Sequence, residues 1–170
     1  MIKEAMKNDN NILDRSIYED EIFMKMNTEM GNATKVEYDI YKSLLNNMME
    51  ELPYAAHKKS PDLMITIKVS YETMIDRITK RGRDYEQIEK DPSLVDYYHR
   101  LLSHYDDWMD EYDESPLLII DGDKYDFVAD VKDRVKILET IEDKLYDLGN
   151  LEQTKVDELR KAHLEILKQQ

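Results

Sequence analysis

Four cations in seven residues, Arg77, Lys80, Arg81 and Arg83, stand out in an otherwise acidic chain. Guanidinium groups at this density can neutralise a polyphosphate, and on a mobile segment they do so once substrate is bound. The same side chains would equally make an ordinary basic helix face balanced by nearby acids. Upstream, Asp14-Arg15-Ser16 follows the short apolar run Asn11-Ile12-Leu13. At a strand tip, such a carboxylate can orient an arginine or accept a proton, and the guanidinium can grip a hydroxyl or phosphate oxygen with two donors. A solvated Asp-Arg pair in a turn is the other reading of those three residues. His57, His99, His104 and His163 show no metal-ligand spacing, and the absence of cysteine excludes disulfides and Cys-ligated zinc.

These groups need elements to hold them. The first ten residues read as the end of a polar helix and a turn, and 11–13 as a buried strand with its chemistry at the C-terminal tip. Apolar residues recur every three or four positions over 17–27 and 35–51, with Pro53 closing the second stretch, as expected of amphipathic helices. The stripe from Val36 to Met49 is either a core face or a surface for another chain. Residues 62–70 are rich in β-branched side chains and predict a strand needing cover on both faces. The spacing predicts a helix over 71–80 running into Arg81-Gly82-Arg83, then one over 93–112 whose Tyr97, Tyr98, Tyr105 and Trp108 belong to the core. Residues 117–123 predict a third strand stopped by turn residues, 131–148 a helix ending at Gly149, and 151–170 a charged amphipathic tail or chain contact. Strands separated by helical crossovers imply an α/β fold with a parallel sheet, which binds ligands at the carboxyl ends of its strands.

Composition bounds the function. The 170 residues, 41% hydrophobic and 36% charged, fit one globular core, and only 4 Gly and 4 Pro leave long helices free to dominate. A net charge of -14 repels nucleic-acid polymers and anionic membranes alike. No run resembles a signal peptide or a membrane span, so the cytoplasm is the expected location.

The longer motifs carry a resemblance. Arg77-Ile78-Thr79-Lys80-Arg81-Gly82-Arg83-Asp84-Tyr85-Glu86-Gln87 is closely similar to the lid signature of deoxynucleoside kinases, and Asp14-Arg15-Ser16-Ile17-Tyr18-Glu19-Asp20 to that family's DRS segment. The helix from Tyr97 to Trp108 and the stretch Ile119-Ile120-Asp121-Gly122-Asp123-Lys124-Tyr125-Asp126-Phe127 also resemble the family, as does Glu50 to Lys59 its bacterial deoxyadenosine/deoxyguanosine branch. The resemblance implies a helix-rich, three-layer P-loop kinase-like α/β fold with a parallel sheet, occupying residues 1–150, and a helical tail at 151–170. It implies transfer of a phosphoryl group from ATP, with Mg²⁺, to the 5'-hydroxyl of a purine deoxynucleoside in salvage. In that scheme Asp14 is the base or its orienter, Arg15 holds the 5'-oxygen, Asp20 helps read the nucleoside base, and Glu86 bonds the 3'-hydroxyl. Arg77, Arg81 and Arg83 face the phosphates, with Arg81 counted among the catalytic groups, and Asp123 and Phe127 border the ATP base. Family members dimerise through helices, so the expected partner is a second copy or a related subunit. A nucleoside monophosphate kinase would share the lid but would not use the DRS segment beside a sugar hydroxyl.

The family's phosphate loop is not in this sequence. Gly31, Gly82, Gly122 and Gly149 are its glycines, and none is followed by Gly-Lys-Ser or Gly-Lys-Thr. The expectation is that the loop, the first strands and the general-base glutamate lie upstream of Met1, leaving an incomplete sheet and a marginal monomer. Catalysis then needs that segment supplied. The alternative is a non-catalytic product that binds nucleoside or pairs with a complete subunit.

Overall fold

The computed structural model describes residues 11–15, 17–50 and 60–168. The expectations for the first ten residues, for Ser16 and for the stretch from residue 51 to 59, Pro53 included, lie outside them. The elements are α1 (Ile17–Glu29), α2 (Lys35–Glu50), β1 (Met64–Lys68), α3 (Tyr71–Arg81), a single 3₁₀ turn (Asp84–Glu86), α4 (Leu94–Glu111), β2 (Leu117–Asp121), α5 (Val131–Asp147) and α6 (Gln153–Lys168). They fall into two compact units, Met1–Pro61 with Ile88–Tyr112 and Asp62–Gln87 with Asp113–Gln170.

In the first unit α1 packs against α2 and α4. Its inward stripe is set by Ile22 and Met26, one helical turn apart and both buried. Along α4 an aromatic series takes up the other side. Phe23 meets Tyr105 edge-on at 6.4 Å between ring centroids, and Tyr105 meets Trp108 at 6.5 Å, both geometries that the ring quadrupoles favour. The Trp108 indole N–H donates to the Tyr18 carbonyl at 3.1 Å, fixing the first turn of α1. A capping box opens α2: the Thr34 N–H donates to Glu37 at 2.7 Å, and the Glu37 N–H donates back to the Thr34 hydroxyl at 3.2 Å. The stripe Val36, Ile40, Leu44 and Met48 on α2 is exposed, so it is not a core face of this unit.

In the second unit β1 and β2 pair in parallel, Met64 opposite Leu117, Thr66 opposite Ile119 and Lys68 opposite Asp121. The ladder continues past the strands, because the Gly122 N–H donates to the Lys68 carbonyl at 2.7 Å. This approach requires glycine: a Cβ built there would lie 2.6 Å from Val69 Cγ1 and 2.8 Å from Ile67 Cγ2. α5 packs on β2 and α6 on α5. Arg160 of α6 donates to the Glu142 carboxylate at 2.6 Å and to the Glu139 carbonyl at 3.1 Å, and also bonds Asp143. His163 lies 3.3 Å from the other Glu142 oxygen, and both side chains are buried. Burial pushes the Glu142 carboxyl up, and His163 and Arg160 draw it back.

Two expectations fail. Residues 11–13 form no strand; Ile12 is 100% exposed and Leu13 48%. So short a run is held extended only by neighbouring strands, and among the described residues β1 and β2 pair with each other alone. The second failure is the cover of β1 on both faces, since Ile65 and Ile67 stay largely exposed, as does Ile119. α5 lies over β2, and on β1 Met64 is buried while Ile65 and Ile67 stay exposed.

Replacing Gly122 by Ala forces the Cβ into Val69 and Ile67, and overpacking of this kind costs about 1–3 kcal/mol. A urea titration should show the midpoint lowered with an unchanged slope; an unchanged midpoint would mean that the strand end gives way freely.

Candidate functional site

The predicted residues divide between the units. Asp14, Arg15 and Asp20 lie in the first; Arg77, Arg81, Arg83, Glu86, Asp123 and Phe127 lie in the second.

In the first unit the chain bends at Asp14 and Arg15 before entering α1. Arg15 has φ +67°, a left-handed conformation that costs a non-glycine residue roughly 1–2 kcal/mol and is found mostly where surroundings impose it. Its guanidinium stands 5.3 Å from the centroid of the Phe23 ring, within cation–π range. Asp20 is exposed in the first turn of α1, where a carboxylate is favoured by the helix dipole. Between them in sequence, Glu19 is drawn into the same electrostatic group. Burial pushes its carboxyl up, Arg15 pulls it down, and Asp20 and Asp14 push it up again. Burial also pushes the Tyr105 phenol up to about 12, with Glu19 adding and Arg15 opposing. The structure thus gathers Asp14, Arg15, Glu19, Asp20, Phe23 and Tyr105 into one polar and aromatic group. A separate cleft of about 270 Å³ opens among α1, α2 and α4, lined in part by Tyr18, Glu21, Tyr38, Lys42 and Trp108.

In the second unit α3 leads into the arginine-rich turn. Ser70 caps its first turn, accepting from the Thr73 N–H, and Gly82 ends it in a left-handed cap with its N–H on the Ile78 carbonyl. The Gln87 side-chain amide donates to the carbonyls of Ile78 and Arg83 at 3.1 and 3.0 Å, closing the turn that follows. Within that turn Arg81 meets one Glu86 oxygen at 2.6 Å and Arg83 the other at 3.4 Å. The glutamate side chain is 16% exposed, and each arginine about half. Lys80 pairs with Asp76 at 2.7 Å. Arg77 reaches away from this group, donating to the carbonyls of Gly122 at 2.6 Å and Tyr125 at 3.3 Å. Asp123 accepts from the Ser70 N–H at 2.9 and 3.0 Å. Phe127 is half-buried, its carbonyl accepting from Arg134 at 2.8 Å.

The structure therefore brings Arg81, Arg83 and Glu86 together and takes Arg77 to a loop of backbone carbonyls. Sequence reasoning missed Glu19, Phe23 and Tyr105 as members of the first group. Their signal was available, since Glu19 and Phe23 are one turn apart on α1, but Tyr105 was indistinguishable from its packed neighbours. Among the described residues no set of three or more His, Asp or Glu side chains could hold a metal ion. Mg²⁺ that arrives with a nucleotide is held largely by phosphate oxygens and needs at most one or two carboxylates, so this donor set fits only that kind of metal.

Comparison with known proteins places the chain in one family. The family model described as deoxynucleoside kinase matches residues 1–146. The chain is 55% identical over 150 residues to a deoxyguanosine kinase of Lactobacillus acidophilus, covering 88% of this chain and 65% of that one. It is 49% identical over 150 residues to a deoxyadenosine kinase of the same organism, covering 88% and 69%. A Bacillus subtilis deoxyadenosine/deoxycytidine kinase is 32% identical over 137 residues, covering 80% and 59%. The chain spans about two thirds of the length of the first two of these relatives and less of the third. No solved structure matches it.

The raised carboxyl of Glu19 has a pH consequence. A carboxyl that titrates higher folded than unfolded opposes folding once ionised, so its unfavourable contribution is absent below the ordinary glutamate range and grows as pH rises through the folded value. Glu19→Gln should raise the melting temperature at pH 7 and leave it unchanged at pH 4. An equal gain at both values would show that the carboxylate charge is not the cause.

Proposed function

Because the chain belongs to the deoxynucleoside kinase family, we propose that it serves the phosphorylation of purine deoxynucleosides, ATP giving its γ-phosphoryl group to the 5'-hydroxyl. The observation that carries this is the closed turn after α3, in which Arg81 and Arg83 converge on Glu86. Phosphoryl transfer asks a protein chiefly for positioning and for positive charge around the moving group. Two half-exposed guanidinium groups supply that charge, exchanging the Glu86 carboxylate for the more highly charged phosphates when substrate is bound. On this reading Glu86, relieved of the arginines, accepts from the sugar 3'-hydroxyl. By resemblance to the family's DRS segment, Arg15 holds the 5'-oxygen, Asp14 takes the proton that leaves it or orients the group that does, and Asp20 helps fix the base. The loop from Asp123 to Phe127 borders the ATP base. Mg²⁺ carried by ATP would neutralise charge on its phosphates.

A second reading rests on one observation, the exposed stripe Val36, Ile40, Leu44 and Met48 on α2. A chain with the nucleoside-side residues and an uncovered apolar helix face would bind nucleoside without turnover, or pair through α2 with a second copy or a related subunit.

Purified protein should be assayed for phosphorylation of deoxyadenosine and deoxyguanosine with Mg²⁺-ATP, beside Arg81→Ala. Loss of a transition-state arginine costs on the order of 10³-fold in rate. Turnover that falls this far in the variant supports the kinase reading. Nucleoside binding without turnover favours the second, and no binding of either nucleoside by a chain that is also monomeric in solution defeats both.

A further inference from the structure

The turn after α3 closes through its backbone and one side-chain amide, and its ion pairs are additional to that closure. The Gly82 N–H donates to the Ile78 carbonyl at 3.1 Å and the Glu86 N–H to the Arg83 carbonyl at 3.0 Å. The Gln87 side-chain amide donates to the same two carbonyls. None of these bonds uses the Glu86 carboxylate. Its two oxygens are divided between the guanidinium groups, Oε2 meeting Arg81 Nη2 at 2.6 Å and Oε1 meeting Arg83 Nη1 at 3.4 Å.

A carboxylate so placed offers two anionic oxygens to two arginines, as a phosphate group would. It is also the more sequestered partner, its side chain 16% exposed against 49% for Arg81 and 54% for Arg83. A carboxylate withdrawn from water to that degree is stabilised by the cations beside it, and drawing them away leaves it short of hydrogen-bond donors. One rearrangement therefore serves two ligands of different chemistry: a polyanion that takes the guanidinium groups, and a hydroxyl group that donates to the released carboxylate.

We propose that Glu86 is a built-in competitor for Arg81 and Arg83, and that its release couples the two substrates. Phosphate at the arginines strengthens binding of a nucleoside that carries a 3'-hydroxyl, and the nucleoside strengthens binding of phosphate by the same factor. The coupling rests on the kinase reading above; the competition for the arginines does not. Both are absent if each arginine keeps Glu86 and holds phosphate through its remaining donors.

The experiment measures calorimetric binding of inorganic tripolyphosphate, 2'-deoxyadenosine and 2',3'-dideoxyadenosine to the intact chain, Glu86→Gln and Asp84→Asn. Glu86→Gln keeps the shape of the side chain and should bind tripolyphosphate about tenfold more tightly. Asp84→Asn takes the same charge from the same turn and should change that affinity by no more than about twofold. In the intact chain, saturating tripolyphosphate should tighten deoxyadenosine about tenfold and leave dideoxyadenosine unchanged, and in Glu86→Gln that difference should vanish. Equal or weaker tripolyphosphate binding by Glu86→Gln overturns the competition, as does a gain matched by Asp84→Asn or failure of every form to bind it. Deoxyadenosine that binds without responding to tripolyphosphate overturns the coupling and leaves the kinase reading standing. If Glu86→Gln tightens tripolyphosphate while no form binds either nucleoside, the competition stands, and the kinase reading fails together with the coupling. The comparison of the two nucleosides on the intact chain decides the coupling if Glu86→Gln does not fold.

Discussion

A parallel pair of strands cannot be closed by a tight turn, and much of this chain follows from that constraint. The segment that leaves β1 at Lys68 returns at Leu117 only after α3, the 3₁₀ turn and α4. The arginine-rich turn is thus carried on the connection itself, and it begins at the carboxyl end of a strand, where the crossover must leave the sheet. What fixes that point is the close approach of Gly122 to Val69 and Lys68, which extends the ladder by one bond beyond the strands. The Ser70 cap, the Arg77 bonds and the Asp123 carboxylate all hang from this one junction.

Charge is distributed with similar economy. In a chain of net charge -14, the cations of the lid region each have a partner: Arg81 and Arg83 share Glu86, Lys80 has Asp76, and Arg77 has two carbonyls. These partnerships differ in kind. Exposed ion pairs contribute roughly 0–1 kcal/mol and are readily exchanged for a more highly charged partner. The half-buried bonds from Arg77 to the carbonyls of Gly122 and Tyr125 are costlier to break, since opening them leaves backbone acceptors unpaired. The four cations that look alike in sequence are therefore not alike in the fold: three meet carboxylates, and one meets backbone carbonyls.

Local patterns were legible wherever they were sufficient. The periodicity over 131–148 and 93–112 located α5 and α4 to within a residue or two at each end, and the β-branched runs located β1 and β2 because they had each other to pair with. Asn11-Ile12-Leu13 has the same apolar character and no paired neighbour among the described residues, so it is not a strand; strand formation is a property of pairs, and one sequence window cannot report it. The site was legible to the same degree. Arg81, Arg83 and Glu86 lie within six residues and meet because the turn is short. The acceptors of Arg77 lie more than forty residues away and are backbone carbonyls, which no side-chain motif can announce. Glu19 became part of the first group through burial beside Tyr105 on α4, again a matter of tertiary packing.

Beyond residue 146, where the family match ends, α6 is docked by polar contacts rather than by a wide apolar face. Val156 and His163 are its buried side chains, and Arg160 engages Glu139, Glu142 and Asp143, positions that share one face of α5. Such a network adds little net stability, because removing Glu142, Arg160 and His163 from water costs about as much as their attraction returns. Its consequence lies in register. If α6 slid by one turn along α5, Arg160 and His163 could no longer both meet the Glu142 carboxylate, whose two oxygens they now divide between them. Apolar contacts would tolerate that slip; a buried carboxylate does not, and so the register of the last helix is set by its charges.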